Sequence, residues 1–171
     1  MFALKGFTLI EMMITLVVAA ILIGLAVPGY FNLVQNNQII ATVNKLSASL
    51  NYARLEAIKR GEQVSVCAAA SAALNSCGNA GQWGQGWVVF VDENDNNAID
   101  PEDTLIRVNE QLPTGVTINS ASAIVSYDGT GFLSSNATNF NVSAASCTGD
   151  SGRLLAIAAS GRLSISSVAC P

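Results

Sequence analysis

The chain has 171 residues, of which half are hydrophobic and only 12% are charged, and its 8 basic and 12 acidic side chains give a net charge of −4. It contains no histidine, which excludes Ser-His-Asp and Cys-His catalytic arrangements and histidine-ligated metal sites. The acidic balance argues against broad electrostatic binding of nucleic acid, which needs clustered lysine and arginine. We therefore expect a protein that is not an enzyme, with room for one domain and a helical stalk.

The N-terminal region is an apolar segment that holds one acidic residue. The 21 residues from Phe7 to Val27 can cross a membrane as a helix, and Glu11 is the single charge among them. An ionised side chain in mid-bilayer costs roughly 2.5–3.5 kcal/mol, so Glu11 needs a cationic partner. No side chain of the segment can serve, whereas a free amino terminus made by cleavage after Gly6 can.

The residues around this acid resemble a known processing signal. The order Lys5-Gly6-Phe7-Thr8-Leu9-Ile10-Glu11 is similar to the class III signal of type IV pilins and the related pseudopilins. The resemblance implies that a prepilin peptidase cleaves between Gly6 and Phe7 and methylates the new Phe7 amine. It also implies that Glu11 pairs with the amino terminus of a neighbouring subunit and sets the register of a filament. A conventional signal peptide lacks a fitting cleavage site here, and a simple one-span anchor leaves Glu11 unexplained.

The apolar segment leads into an amphipathic helix. Pro28 and Gly29 interrupt it, and because Pro28 removes a helical hydrogen bond we expect a kink or local melting there. With Glu11, Pro28 is expected to act in assembly. Beyond them a stripe of apolar residues recurs at steps of three and four, and Gly61 caps the helix. The stripe is Ile39, Val43, Leu46, Leu50, Ala53 and Ala57. We expect a leader at 1–6, a transmembrane or filament-core helix at 7–28, a stalk helix at 29–61 and a globular head at 62–171.

The head has the period-two pattern of β-strands. Strands are predicted at residues 63–69, 87–91, 104–109, 116–119, 123–127, 153–158 and 162–166. Ser160-Gly161 predicts the turn of a terminal hairpin, and the polar segment 134–146 is predicted to be irregular. Short strands and turns without a further helical pattern indicate antiparallel sheets packed on the stalk helix, which is an α+β fold.

Four cysteines indicate two disulfides in an oxidising compartment. Three pairings are open, and we favour the local set, Cys67–Cys77 and Cys147–Cys170. The second bond would hold the C terminus and stabilise the fold by about 3 kcal/mol in the chain-entropy model. A zinc site is disfavoured because the paired C-x₂₋₄-C spacing is absent.

Three stretches between the end of the stalk helix and the terminal hairpin resemble the GspH/FimT group of minor pilins and pseudopilins, which includes FimU-like subunits. They are Tyr52-Ala53-Arg54-Leu55-Glu56-Ala57-Ile58-Lys59-Arg60-Gly61, Trp83-Gly84-Gln85-Gly86-Trp87-Val88-Val89-Phe90-Val91-Asp92 and Gly161-Arg162. The resemblance implies a pilin-type "lollipop", a long N-terminal helix with a β-rich head. It implies a minor pilin that primes or tips a type IV pilus, with other minor pilins and the major pilin as partners. The alternatives are a minor pseudopilin of a type II secretion system and a FimT-like pilin that captures DNA.

An acidic loop between two predicted strands has the spacing of a calcium site. No cofactor is expected to be required, but oxygen-bearing side chains follow the cadence of an EF-hand loop at Asp92, Asn94, Asn96, Asp100 and Asp103. Asn97 replaces the turn glycine, and Asp103 replaces the bidentate glutamate. The competing interpretation is a solvated hairpin loop, since Asn/Asp-rich turns are common.

Two further pairs of side chains are candidate binding groups. Trp83 and Trp87 fit a core anchor better than a glycan-binding patch. Arg153 and Arg162 are the C-terminal cations, and Gly161-Arg162-Leu163-Ser164 keeps one arginine of the Gly-Arg-x-Arg element associated with DNA capture. Two arginines on an acidic head offer little counterion release, so DNA is not the expected partner. We expect a single pass through the bacterial inner membrane with a periplasmic head, followed by assembly into a filament.

Overall fold

The computed structural model describes residues 7–145 and 147–171, with the backbone alone at 25–28. Its contacts divide the chain into two units that meet between Val34 and Gln35. Helix α1, Leu9–Arg60, is 52 residues long and belongs to both units. A kink or local melting was expected at Pro28 and Gly29, and of these two the local melting is wrong, because the helix is continuous through both residues. Proline removes one hydrogen bond, and the flanking turns retain theirs.

The described residues of the second unit form eight β-strands. They are β1 Val64–Ala68, β2 Trp87–Val91, β3 Thr104–Asn109, β4 Val116–Ser120, β5 Ile124–Tyr127, β6 Thr138–Ala144, β7 Gly152–Ile157 and β8 Leu163–Val168. One sheet has the order β3-β2-β1-β5 and the other β4-β6-β7-β8, with every neighbouring pair antiparallel. The predicted α+β fold, a long N-terminal helix packed on antiparallel sheets, is confirmed.

Strand β6 corrects the prediction that segment 134–146 is irregular. Asn139 and Asn141 are exposed, while Phe140 and Val142 are buried, which is the alternation of a half-buried strand. Asparagine has a low strand propensity, and this obscured the pattern. The strand forms because β6 pairs with β4 on one side and β7 on the other.

The hydrophobic core joins the helix to both sheets. Every residue of the predicted apolar stripe, Ile39 to Ala57, is at most 2% exposed. These side chains share one cluster with residues of the first sheet, such as Val66 and Val89, and of the second, such as Phe140 and Leu155. Gly61 ends the helix at φ 73°, with its N–H donating to the Ala57 carbonyl at 2.8 Å. The prediction of a stalk face packed on the head is therefore confirmed for residues 39–57.

Arg54 connects the helix to a turn beside each sheet. Its Nε donates to the Gly131 carbonyl at 2.9 Å, and its Nη2 donates to the Ser160 carbonyl at 3.1 Å. Gly131 follows β5 and Ser160 lies between β7 and β8. Because one side chain bonds to both turns, Arg54 fixes the two sheets against the same helix. No role for Arg54 was predicted from the sequence.

Candidate functional site

Thr8 and Glu11 form reciprocal hydrogen bonds at the start of α1. Glu11 Oε2 accepts hydrogen bonds from the backbone N–H and the hydroxyl of Thr8, each at 2.8 Å. Thr8 Oγ1 in turn accepts from the Glu11 N–H at 3.3 Å. This is a capping box, which satisfies backbone donors that the first helical turn leaves free. Glu11 thus has a local role that the sequence interpretation missed, although the Thr-x-x-Glu spacing signals it.

The expected processing site lies next to this cap. Phe7 is 83% exposed and precedes the helix by two residues. Gly6 and the rest of the expected leader, residues 1–6, lie outside the described residues. The expected cleavage between Gly6 and Phe7, and the methylation of Phe7, stay predictions. The side chain of Pro28, the other residue expected to act in assembly, is also outside the described part of the chain.

The N-terminal part of α1 presents apolar side chains on all sides. Its large hydrophobic residues from Leu9 to Ile23 are 49–78% exposed. By length and composition the helix is suitable for crossing a membrane. Water cannot solvate such a surface without a large free-energy cost, so lipid or other subunits have to cover it.

Both disulfides tie loops to the head. The bonded pairs are Cys67–Cys77, with Cα atoms 5.6 Å apart, and Cys147–Cys170, with Cα atoms 5.7 Å apart. These are the pairs that the sequence analysis favoured. Cys67 is buried in β1, and its bond holds the loop that follows that strand. The second bond fixes the C-terminal end of the chain beside Gly149, whose carbonyl accepts from the Cys170 N–H at 2.9 Å.

The acidic loop is held by hydrogen bonds from its own backbone. The carboxylate of Asp92 is 1% exposed and accepts from the N–H groups of Asn96, at 3.1 Å, and Asn97, at 2.8 Å. The Asp103 carboxylate accepts from the N–H groups of Glu93, at 3.1 Å, and Asp100, at 2.8 Å. These are the side chain to backbone bonds of Asx-rich turns. The loop is therefore ordered by bonds within the protein.

Four other observations bear on the calcium prediction. Asn97 adopts φ 63°, the left-handed conformation that the EF-hand glycine position requires. Its side-chain oxygen accepts from the Ser126 hydroxyl at 2.8 Å, which fixes the loop to β5. The Asn96 and Asn94 amides hold the pKa of Asp100 below its ordinary value. Within residues 7–145 and 147–171, no group of three or more His, Cys, Asp and Glu side chains is arranged to hold a metal ion. Calcium binding stays a prediction.

The two tryptophans are core residues. Trp83 is fully buried, its Nε1 donates to the Ser122 carbonyl at 2.9 Å, and its ring packs edge-on against Phe140 at 4.8 Å. Trp87 is 1% exposed and opens β2. Neither ring is accessible as a stacking platform for a sugar, which supports the core-anchor interpretation. The Nε1 of Trp87 is buried without a hydrogen-bond partner among the described residues.

Arg153 and Arg162 do not form one cationic patch. Arg153 donates from Nη1 to the carbonyls of its own loop, including that of Gly152 at 2.9 Å. Arg162 is exposed in the turn that leads into β8. Arg153 pairs across the ladder with Ser167, near the far end of the hairpin from Arg162. At about 3.3 Å per residue the two side chains belong to opposite ends of the hairpin.

Comparison with known protein families assigns the chain to one of them. Residues 42–161 match the family described as type II transport protein GspH. The chain belongs to the GspH family. Residues 1–27 match the prokaryotic N-terminal methylation motif, which includes both Phe7 and Glu11. This family consists of pilin-type structural subunits, so the expectation of a subunit without enzymatic activity is confirmed.

Solved structures share the fold. A crystal structure of the type IV minor pilin FimU from Pseudomonas aeruginosa strain PAO1 matches with a TM-score of 0.60 and 20% identity, over 79% of this chain and 96% of FimU. A second crystal form of FimU matches with a TM-score of 0.57, also at 20% identity, over 77% of this chain and 98% of FimU. No curated protein sequence matches the chain. The likeness to FimU, at this identity, is a likeness of fold.

Proposed function

We propose that this protein is a minor pilin that a prepilin peptidase cleaves between Gly6 and Phe7 and that then assembles into a type IV pilus. The observation that carries the proposal is the lone Glu11 in an otherwise apolar, exposed helix surface, within a methylation motif joined to a GspH-family head. A wholly apolar helix surface needs only lipid to cover it. A charge within it needs a specific partner, and in a filament the methylated Phe7 amine of a neighbouring subunit supplies one.

The proposed route runs from the membrane to the filament. Residues 1–6 are the leader, 7–28 the helix that spans the inner membrane, 29–61 the stalk helix and 62–171 the periplasmic head. After cleavage, other minor pilins and the major pilin replace lipid around the helix, and Glu11 selects the register in which they pack. A buried ion pair suits this role because losing one partner leaves a stranded charge, which costs about 3–5 kcal/mol. The resemblance to FimU-like subunits supports, as part of this proposal, a position in the priming or tip complex.

The test has to separate the charge of Glu11 from its role in the helix cap. Glu11→Gln keeps an oxygen that can accept from the Thr8 N–H but removes the charge, whereas Glu11→Ala removes both. Thr8→Val removes the hydroxyl of the capping box and leaves the carboxylate. All three full-length variants are expressed in the native host, and each is measured in membranes and in sheared filaments by immunoblotting.

We expect all three variants to be cleaved and anchored. Glu11→Gln and Glu11→Ala should both be depleted in filaments at least tenfold, which corresponds to about 1.4 kcal/mol and is below the cost of a stranded charge. Thr8→Val should assemble nearly normally, since a cap is worth only about 1 kcal/mol of helix stability. Normal incorporation of Glu11→Gln would show that the carboxylate acts only as a cap, and the proposal would then be wrong.

The second candidate is a minor pseudopilin of a type II secretion system, which the description of the matching family favours. Its processing and assembly would be the same, so the Glu11 variants do not separate the two. Deleting the gene does separate them: loss of surface pili supports the pilus, and retained pili with loss of protein secretion supports the pseudopilus. The separated arginines at 153 and 162 give no support to a DNA-capture role.

A further inference from the structure

We propose that strand β3 and the adjoining cleft bind an extended polypeptide segment from a neighbouring pilin-type subunit. The inference rests on the proposed function, because it names a contact through which the head would join an assembly. It draws on two separate features, a free sheet edge and a buried donor without an acceptor. Both lie entirely within residues 35–171.

The first feature is the edge of the first sheet. Strand β3 pairs with β2, and no other backbone hydrogen bond of Thr104–Asn109 is present within the described residues. Its outer row of N–H and C=O groups is thus available for another strand. Leu105 and Val108 on this edge are 45% and 51% exposed. Their ladder partners, Phe90 and Val88, belong to a small buried cluster, so the two exposed side chains extend an apolar surface.

The second feature is a cleft of about 340 Å³ between α1 and the end of β3. The helix contributes Gln38, Ala41, Thr42 and Lys45, the strand end and the following loop contribute Val108 to Pro113, and Trp87 also lines the cleft. Trp87 is 1% exposed, yet its Nε1 has no hydrogen-bond partner in the described part of the chain. A buried N–H without an acceptor is costly. Trp83, by contrast, has its indole N–H satisfied by Ser122.

These features together favour a polypeptide as the occupant. A strand edge recognises backbone amides, which a sugar or a small anion does not offer in a repeating row. A backbone carbonyl of the added segment would be the acceptor that Trp87 Nε1 lacks. The cleft has one cation, Lys45, and one acidic side chain, Glu110, so its chemistry suits a neutral or mixed segment rather than a strongly charged one. Since Val108 belongs both to the edge and to the cleft, one segment can occupy both.

The contact can be trapped with a photo-crosslinking amino acid at Val108 in the full-length protein in its native host. The matched control is the same amino acid at Ile165, which is 48% exposed on β8, an outer strand of the second sheet. We expect Val108 to give a crosslinked species that mass spectrometry identifies as a pilin-type subunit, and Ile165 to give severalfold less. Equal yields at both positions, or a product without a pilin-type subunit, would overturn the inference.

Two substitution pairs test the chemistry of the site. Val108→Lys should lower filament incorporation severalfold relative to Ile165→Lys, because a charge on a sheet edge blocks strand addition. Trp87→Phe should lower the Val108 crosslink about fivefold, the loss expected for one hydrogen bond to a backbone carbonyl. Trp83→Phe controls for core damage, since its N–H already bonds within the protein. An equal loss in both tryptophan variants would overturn the role of Trp87.

The same experiments separate this inference from the proposed function. If the unmodified protein is absent from filaments, the proposed function is wrong. If the protein enters filaments in a manner that depends on Glu11, and Val108→Lys enters as well as Ile165→Lys does, then only the edge contact is wrong.

Discussion

Replacing Gly161 by alanine is expected to destabilise the head far more than the same change at another glycine of similar backbone conformation. Gly161 lies in the turn between β7 and β8 at φ 74°. A Cβ there would lie 2.5 Å from the Gly131 carbonyl oxygen and 3.0 Å from Arg54 Nε. The close approach places two turns side by side where Arg54 bonds to both. The packing of the two turns therefore explains why glycine is needed at position 161, without any role in DNA binding.

The magnitude follows from two terms. A side chain in the left-handed region costs about 1 kcal/mol. Relieving the contact with Gly131 moves that carbonyl away from Arg54 Nε, which bonds to it at 2.9 Å, and losing a hydrogen bond to a charged group costs roughly 1.5–3 kcal/mol. The sum is about 3 kcal/mol. At Gly149, which has φ 59° and nothing within 4 Å of an added Cβ, alanine incurs only the conformational cost of about 1 kcal/mol.

The assay is thermal unfolding of the detergent-solubilised full-length protein, followed by tryptophan emission. Both tryptophans are buried in the second unit, so emission reports the unfolding of the head. At about 4 °C per kcal/mol for a domain of this size, Gly161→Ala should lower Tm by about 12 °C and Gly149→Ala by about 4 °C. Equal shifts in the two variants would refute the argument that the close approach to Gly131, rather than φ, decides the cost.

Two further predictions concern the acidic turns. The Thr130 side chain, followed by backbone N–H groups, holds the pKa of Asp128 below its ordinary value. A carboxylate whose pKa is lower in the folded state than in the unfolded state stabilises the fold above the unfolded pKa of about 4, and this stability is lost as the pH falls through the folded pKa. Tm should therefore be level near neutral pH and fall below about pH 4. The fall should be less steep in Asp128→Asn. A Tm independent of pH down to 2 would contradict this. If the acidic loop binds calcium, Tm should be higher in calcium chloride than in EDTA, and Asp100→Asn should remove the difference. Equal Tm values in the two solutions would show that the calcium prediction is wrong.

The strands that could be predicted are those whose own residues specify them. Strands β2 and β3 begin and end where the sequence predicts, and the terminal hairpin forms around Ser160-Gly161. In β2 every residue is buried and β-branched or aromatic, so local propensity and burial agree. The apolar stripe of α1 was equally clear, because six positions at helical spacing leave one consistent face.

What could not be predicted depends on partners that are distant in sequence. Strand β6 exists because β4 and β7 flank it, and no window of seven residues contains that information. The two hydrogen bonds of Arg54 join the helix to backbone carbonyls that lie 77 and 106 residues further along the chain. The acceptors are backbone atoms, whose positions depend on the turns and not on side-chain identity. The free edge of β3 is likewise visible only once the order of the strands is known.

The capping box changes how the acid in the apolar helix is understood. In the isolated subunit the Glu11 carboxylate accepts two hydrogen bonds from Thr8, so it is not a charge without any partner. These bonds use one oxygen, Oε2, and the other oxygen has no hydrogen bond within the described residues. A neighbouring amine can therefore bind Glu11 without breaking the cap, and the helix need not unwind when the subunit enters a filament. The cap and the proposed ion pair can therefore exist together, and Glu11→Gln, which removes the charge but keeps an acceptor for the cap, is more informative than Glu11→Ala.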